Sequence, residues 1–335
     1  MKLPHGKVPQ KTLEKIVLKY LGFKREEVVL GPAVGEDGAV IEIDDKAIVS
    51  SVDPITGAVE RIGWLAVNIC ANDVATFGVK PTFFSSCILL PEDSDDHALE
   101  EVCRQIDEAA KRLEIAIVGG HSEVTPELKH PVVIGYCAGI TKRGNYVTSG
   151  GAKVGDQLIL TKTAGIEGTA ILATEKYEKL KNAIDNETLI SAQRFFDKIS
   201  VVNDALTAFK CGGVSAMHDP TEGGILGGIH EMAEASGHGV KVYYEKIPVA
   251  KETLKICNFF EIDPLQLISS GALLIAARKN KSQKIIRELK AQGINASIIG
   301  EFVENGEERV LVRENEEELP LPKPECDHLW IALRK

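Results

Sequence analysis

The sequence predicts an α+β fold in two domains, and three observations carry that expectation. Strand-like and helix-like stretches are mixed without strict alternation in both halves, which argues against one doubly wound sheet. From Gly144 to Gly155 the chain turns glycine-rich and polar, as a boundary between domains does. At 335 residues it is also long enough for two sizeable cores. The predicted domains are therefore residues 1–150 and 151–335.

Taken in order, residues 1–11 are polar and contain Pro4 and Pro9, so they read as a mobile arm. Lys11 to Leu21 places Leu13, Ile16, Val17 and Leu21 at helical spacing. Ala39–Ile43 and Ala47–Val52 read as strands joined by a tight turn at Asp44-Asp45-Lys46. Arg61 to Phe77 is a helix stopped by Gly78 and Pro81, and Thr82 to Leu90 a strand. His97 to Leu113 is the clearest helix, with Leu99, Val102, Cys103, Ile106, Ala110 and Leu113 on one face. Ile115–Val118 is a short strand ending in Gly119-Gly120, and Pro131–Ile140 is another. In the second half strands are expected at Gln157–Thr161, Val214–Met217, Val240–Tyr244 and Leu273–Ala277. Helices are expected near Glu187–Phe209, at Thr221–Ser236 and at Ser282–Gln292, with a loose acidic, proline-rich stretch from Glu314 to Pro324.

Composition narrows the function. Hydrophobic residues make up 44% and charged residues 26%, ordinary values for a globular protein. No apolar run approaches the roughly 18 residues of a membrane span, and the first residues lack the apolar core of a signal peptide. The seven cysteines include no Cys-x-x-Cys pair, which excludes a zinc ribbon and fits a reducing cytoplasm. A formal charge of −10 argues against nucleic-acid binding, which needs basic surface. It is compatible with a nucleotide whose phosphates reach acids through magnesium.

Acids stand beside buried-looking segments throughout: Asp37 in Gly-Glu-Asp-Gly, Asp53 in Ser-Val-Asp-Pro, Asp73 in Asn-Asp-Val, Glu123 in Gly-Gly-His-Ser-Glu and Asp219 in His-Asp-Pro-Thr-Glu-Gly-Gly. Neither Gly-x-x-x-x-Gly-Lys-[Ser/Thr] nor Gly-x-Gly-x-x-Gly follows a strand, so a nucleotide site here would rest on carboxylates and Mg2+ rather than on a phosphate loop. Gly119 and Gly120 follow an apolar strand, where successive amides can form an anion-binding nest. Asp219 ahead of Pro220 and Thr221 could equally be a helix cap. Gly223, Gly224, Gly227 and Gly228 each weaken a helix by roughly 1 kcal/mol relative to alanine, which suggests close packing or a ligand.

The order of these motifs, closed by Ser-Ser-Gly-Ala-Leu-Leu, resembles the aminoimidazole-ribonucleotide (AIR) synthetase superfamily over about residues 5–275, with the hydrogenase-maturation HypE branch nearest. The resemblance implies a PurM-like fold: an N-terminal domain that pairs across a homodimer into a β-barrel, and a C-terminal α/β sandwich-like domain. It implies ATP and Mg2+ as cofactors, with Asp37, Asp53, Asp73, Glu123 and Asp219 as metal residues. His5, Gly6 and Lys7 resemble the arm that closes over the phosphates, while Gly119, Gly120, Asp219, Thr221 and Gly223 would line the nucleotide. The implied chemistry is attack of a substrate oxygen on the γ-phosphate, the acceptor being a small molecule or a protein tail. Thiamine-monophosphate kinase chemistry and a non-catalytic nucleotide-binding scaffold are the alternatives. Two departures stand out. HypE chains end in the cysteine that carries the carbamoyl group, whereas Cys326 here lies nine residues (335 − 326) from the end. Glu222 follows Asp-Pro-Thr where the family has arginine. The bulky Leu329, Trp330, Ile331 and Leu333 predict a tail docked on the core and a structural Cys326.

Overall fold

The computed structural model describes residues 3, 6–56 and 59–335 of the chain. Its first half is built on a six-stranded sheet of β1 (Val28–Leu30), β2 (Ala39–Ile43), β3 (Lys46–Ile55), β4 (Pro81–Leu90), β5 (Ala116–Val124) and β6 (Val132–Lys142). The spatial order is β1-β2-β3-β6-β4-β5, antiparallel except for β4 beside β5. Asp44 turns the β2–β3 hairpin with φ 53°, a left-handed conformation that aspartate tolerates.

Against one face of this sheet lies α2 (Ile62–Thr76), following a short α1 (Gln10–Lys15). Every residue of α2 is buried, as expected of a helix apolar on all sides. Gly135 on β6 permits the close approach, because a side chain there would come within 2.7 Å of Cys70 Sγ. Outside it runs the amphipathic α3 (Asp96–Leu113), whose cap Asp95 accepts from Ala98 N at 2.9 Å. The opposite face of the sheet is uncovered. There Val52 pairs with Tyr136 and Ile48 with Ile140, and Val52, Tyr136 and Ile140 are exposed.

The second half carries β7 (Asp156–Thr161), β8 (Val214–His218), β9 (Gly239–Tyr243), β10 (Leu274–Arg278), β11 (Ala296–Val303), β12 (Arg309–Val312) and β13 (Glu318–Pro320). They form one seven-stranded sheet in the order β13-β12-β9-β11-β7-β10-β8. Its helices are α4 (Ile166–Glu175), α5 (Tyr177–Leu180), α6 (Asn186–Gln193), α7 (Val202–Lys210), α8 (Gly224–Ser236), α9 (Lys251–Phe260), α10 (Lys279–Ala291) and α11 (His328–Arg334). Both sheets are open in the single chain, so a barrel would need a second copy. No helix among the described residues is long and apolar enough to cross a membrane.

Several expectations change. The helix read over Lys11–Leu21 is only α1 and a 3-10 turn at Val17–Lys19, and Ile16, Val17 and Leu21 stay exposed. Cys103, expected on the apolar face of α3, is exposed. The strand expected to stop at Val118 continues through both glycines to Val124, because β4 offers it a parallel ladder. The single helix expected over 187–209 is broken into α6, a 3-10 turn and α7. At the break, Ile199 O and Val201 N bond to the side chain of Asn72 instead of continuing a helix. Helix α4 was not anticipated, since Ala164 to Ala173 is largely apolar and glycine-punctuated, with Glu167 and Thr169 as its polar residues, a pattern without helical periodicity. The stretch 314–324 is not loose: β13 pairs with β12 and Leu321 is buried.

The tail is held down. Asp327 caps α11 by accepting from Leu329 N at 2.7 Å, while Leu329 and Ala332 are buried and Ile331 and Leu333 partly so. Cys326, one residue ahead of the cap, is exposed. Leu329→Ala should lower the unfolding free energy by about 2–4 kcal/mol in urea titration, the cost of an emptied core site. Unchanged stability would mean that the tail is not docked.

Candidate active site

The N-terminal acids meet on the covered face of the first sheet. Ser51 and Asp53 alternate along β3 and so point the same way, toward α2, which carries Asp73. Ser51 Oγ donates to Asp73 Oδ2 at 2.6 Å and lies 3.5 Å from Asp53 Oδ2. Burial first, and then the nearby Asp53, push the Asp73 carboxyl well above the usual carboxylate range. A proton or a cation between the two relieves that repulsion.

Asp37 carries the acid cluster across to the second domain. Its turn is pinned by Glu36, which accepts from Ser149 N at 2.9 Å and Gly150 N at 3.0 Å. Gly35 has φ 74°, and a side chain there would strike Glu231 O. Asp37 Oδ1 lies 2.5 Å from His218 Nδ1, and Oδ2 accepts from Asp219 N at 3.3 Å. His218 Nε2 lies 3.0 Å from Glu231 Oε2, and Glu231 Oε1 lies 2.9 Å from Lys7 Nζ. Burial by itself would lower the pKa of His218, but the flanking Asp37 and Glu231 outweigh it and raise it to about 10. The imidazolium therefore serves as a fixed counter-charge to Asp37.

Asp219 closes the cluster. Its Oδ2 accepts from Asn72 Nδ2 at 2.9 Å, and its Oδ1 is buried without a partner. Asn72 also donates to Ile199 O at 2.9 Å and accepts from Val201 N at 2.8 Å, so one side chain joins α2 to the second domain. Burial, then Asp37, hold the Asp219 carboxyl well above its ordinary range. Asp219 is thus not the cap considered from sequence. Helix α8 starts three residues later than Thr221, at Gly224, behind Gly223 with φ 85°. The carbonyl of Thr221 accepts from Gly224 N, and Gly223 N donates to Asp327 Oδ2 at 2.7 Å.

The arm and the tail meet beside this cluster. Glu222 accepts the backbone N–H of Lys7 at 2.8 Å, and a side chain at Gly6 would run into Glu222 and the Trp330 indole. His5 lies outside the described residues. Behind them Glu167, in the first turn of α4, is fully buried and raised to about 7. Burial is the main cause, with Asp327, Glu222 and Asp53 adding to it and Ser270 opposing. Asp327 is likewise raised to about 7 by burial, against the amides of Leu329, Gly223 and Ile268.

Gly119, Gly120 and Glu123 stand apart from these acids in the single chain. The register runs Asp53, Gly135, Ser86, Gly120, three strands and so about 14 Å. Glu123 pairs with Leu89, out of phase with that row and so toward the uncovered face, where it contacts His121 at 3.1 Å and Thr125 at 3.0 Å. The glycines lie in an extended ladder and form no nest. A side chain at Gly120 would come within 2.6 Å of Ser86 O, so the residue is small for strand pairing.

Among the described residues no three His, Cys, Asp or Glu side chains are gathered as a ready ligand set. That spread fits magnesium, which takes one or two carboxylates and fills its octahedron with phosphate and water. The unpartnered Asp219 Oδ1 and the crowded Asp53–Asp73 pair are the groups such an ion would satisfy. Sequence reading missed Asn72, Ser51, Glu231, Asp327 and Glu167 as parts of this site. Asn72 and Glu167 did leave a signal, as polar residues inside otherwise apolar runs.

Two mixed sheets, meeting where acids from both halves converge, define the architecture. Residues 35–141 match the N-terminal domain of the AIR synthase related proteins, and residues 153–313 match their C-terminal domain. The chain belongs to that family. A putative hydrogenase expression/formation protein of Methanocaldococcus jannaschii is 31% identical over 304 residues, 88% of each chain. Carbamoyl dehydratase HypE of Escherichia coli K12 is 29% identical over 257 residues, 76% of this chain and 74% of that one. A crystal structure of the hydrogenase maturation protein HypE in complex with ATP superposes with a TM-score of 0.72 at 21% identity, covering 98% of both chains.

Glu167 gives the site a pH signature. In the unfolded chain it ionises near 4.5 and in the folded chain near 7, so its burial penalty is absent below pH 4.5, grows through that window and is complete above 7. Glu167→Gln should therefore match the native protein near pH 4.5 and exceed its stability at pH 8 by up to about 3 kcal/mol. Urea unfolding at the two pH values measures this, and equal stability at both would show that Glu167 is not desolvated.

Proposed function

We propose that this protein is a magnesium-dependent enzyme that transfers the γ-phosphoryl group of ATP to an oxygen of a separate acceptor, turning that oxygen into a leaving group. The observation carrying this reading is the unpartnered carboxylate oxygen of Asp219 beside Asp37, with the crowded Asp53–Asp73 pair across the domain junction. Family membership supports it, as do relatives named carbamoyl dehydratase and selenide, water dikinase.

In this reading Asp37, Asp53, Asp73 and Asp219 hold magnesium. The bound ion supplies neutralisation of the charge that builds on the transferring phosphoryl group. His218, charged between Asp37 and Glu231, fixes the orientation of the Asp37 carboxylate. Lys7, whose ammonium rests on Glu231 at 2.9 Å, would be the cation that meets the phosphates. Gly6 and Gly223 would give the backbone room to approach the nucleotide, and Thr221 would offer it a hydroxyl. Glu222, the charge reversal in the Asp-Pro-Thr motif, anchors the arm through the Lys7 amide.

The acceptor is separate because the tail is committed elsewhere. Cys326 is followed at once by the capped and docked α11, which holds that stretch against the second domain. The assembly is a homodimer in which the bare face bearing Val52, Tyr136 and Ile140 is covered by a second copy. In that arrangement Glu123, Gly119 and Gly120 of one copy serve the acid cluster of the other.

Asp73→Asn should weaken Mg-ATP binding at least about tenfold by calorimetry, and wild-type affinity would remove Asp73 from the metal site. Light scattering should return twice the 36.3 kDa chain mass, and a single chain mass at micromolar concentration would rule out the dimer. Cys326→Ser should leave ATP turnover unchanged. A carbamoyl or cyano adduct found on Cys326 by mass spectrometry would restore a tail-borne reaction.

A further inference from the structure

A cleft of about 400 Å³ opens between the first turn of α2 and the second domain, a size that suits a small ligand. Its walls include Glu60 and Arg61 ahead of α2, Ile190 on α6, and Arg194, Phe196 and Asp197 on the 3-10 turn Arg194–Lys198. The acid cluster is elsewhere: Asp73 is twelve residues along the helix from Arg61 (73 − 61), about 18 Å away. The walls are braced. Gln105 accepts from Gly63 N at 3.0 Å and donates to Glu60 O at 2.8 Å, which fixes the entry into α2. Trp64 Nε1 donates to Phe196 O at 3.0 Å and Gln193 Nε2 to Ala173 O at 3.1 Å, which fix the opposite wall.

The cations of this cleft are poorly satisfied. The Arg61 guanidinium lies 5.1 Å from the centre of the Trp64 ring and 6.0 Å from that of Phe196. Its Nε is buried with no hydrogen-bond partner among the described residues, and its ion pair with the exposed Asp197 is 3.7 Å long. That is well beyond the roughly 2.7–2.9 Å of a charge-assisted hydrogen bond. Arg194 is exposed on the same cleft and makes no ion pair among the described residues. Helix α2 begins with no side-chain cap and no acid in its first turn, so its positive end adds to these charges. Against them stand Glu60 and Asp197, both exposed. Two arginines facing two acids leave no surplus for a doubly charged phosphate, while Ile190 and Phe196 supply an apolar wall.

We propose that this cleft is a ligand site separate from the acid cluster, and that it takes a small monocarboxylate carried on an apolar or aromatic body. The carboxylate pairs with Arg61 and Arg194, and the body lies against Ile190 and Phe196. The arginine fork matches a carboxylate with two parallel hydrogen bonds, and drawing Arg61 into that pair breaks no short one. At its distance from Asp73 the occupant is not the phosphoryl acceptor. The site shares no residue with the acid cluster and does not rest on the phosphoryl-transfer reading.

The test uses the full-length protein with phenylacetate as probe, benzylamine and inorganic phosphate as controls, and ligand-observed NMR as the readout. Phenylacetate should bind saturably to the wild type and about tenfold or more weakly to Arg61→Gln and to Arg194→Gln. Urea unfolding establishes that each variant is folded, and Arg194→Gln, at an exposed position, should unfold as the wild type does. Saturating Mg-ATP should leave phenylacetate bound. The proposal is overturned if phenylacetate does not bind, if either folded variant binds it as well as the wild type, if benzylamine or phosphate binds more tightly, or if Mg-ATP displaces it. Failure of the wild type to bind Mg-ATP would overturn the phosphoryl-transfer reading instead and leave this site standing.

Discussion

The crowding of buried carboxylates at the junction of the two domains is the constraint on which the rest depends. Asp37, Asp53 and Asp73 come from the first half and Asp219 from the second, and two of the four are pushed far from their ordinary ionisation. Such an arrangement is costly unless each charge is protonated, paired or shared with a cation. The chain offsets only part of it. His218 neutralises Asp37, Ser51 donates to Asp73, and Asn72 satisfies one oxygen of Asp219. The unmet remainder is what a divalent ion bridging to phosphate would supply.

The same groups join the domains. Asn72 is buried within α2, yet its amide reaches Asp219, Ile199 and Val201, so the second domain is tied to the helix that carries Asp73. The arm and the tail converge on the same place from opposite ends of the chain. Lys7 bonds to Glu231 and Glu222, and Asp327 takes the Gly223 amide. Ligand binding at the acids would therefore be felt by both termini, since Glu231 links Lys7 to His218 and His218 to Asp37.

Much of this was legible in the sequence, for identifiable reasons. The elements Ala39–Ile43, Asp96–Leu113 and Pro81–Leu90 follow local periodicity and turn residues, which act over a few positions. Asp37 and Asp219 are marked by glycines in their motifs and Asp53 and Asp73 by the apolar runs around them, and all four lie within contact range of one another or of a shared partner. Glu167 stood out only as an acid in an apolar run, and its role was hidden because it comes from burial by segments a hundred residues away, such as 268–270. The break at Ile199 was hidden for the same reason, its cause being a side chain on α2. Glu123 was readable as an acid in a motif, but its position on an edge strand, facing the other way, emerges only from sheet register. Local chemistry can be read along a chain, whereas register and long-range burial cannot.

The central claim is that the junction acids bind ATP through magnesium. A crystal structure with a non-hydrolysable ATP analogue and Mg2+ tests it most directly. The account predicts metal density about 2.1 Å from a carboxylate oxygen of Asp37, Asp53, Asp73 or Asp219, with phosphate oxygens completing the octahedron. Nucleotide bound away from these acids, or bound at them with no metal between, would contradict it.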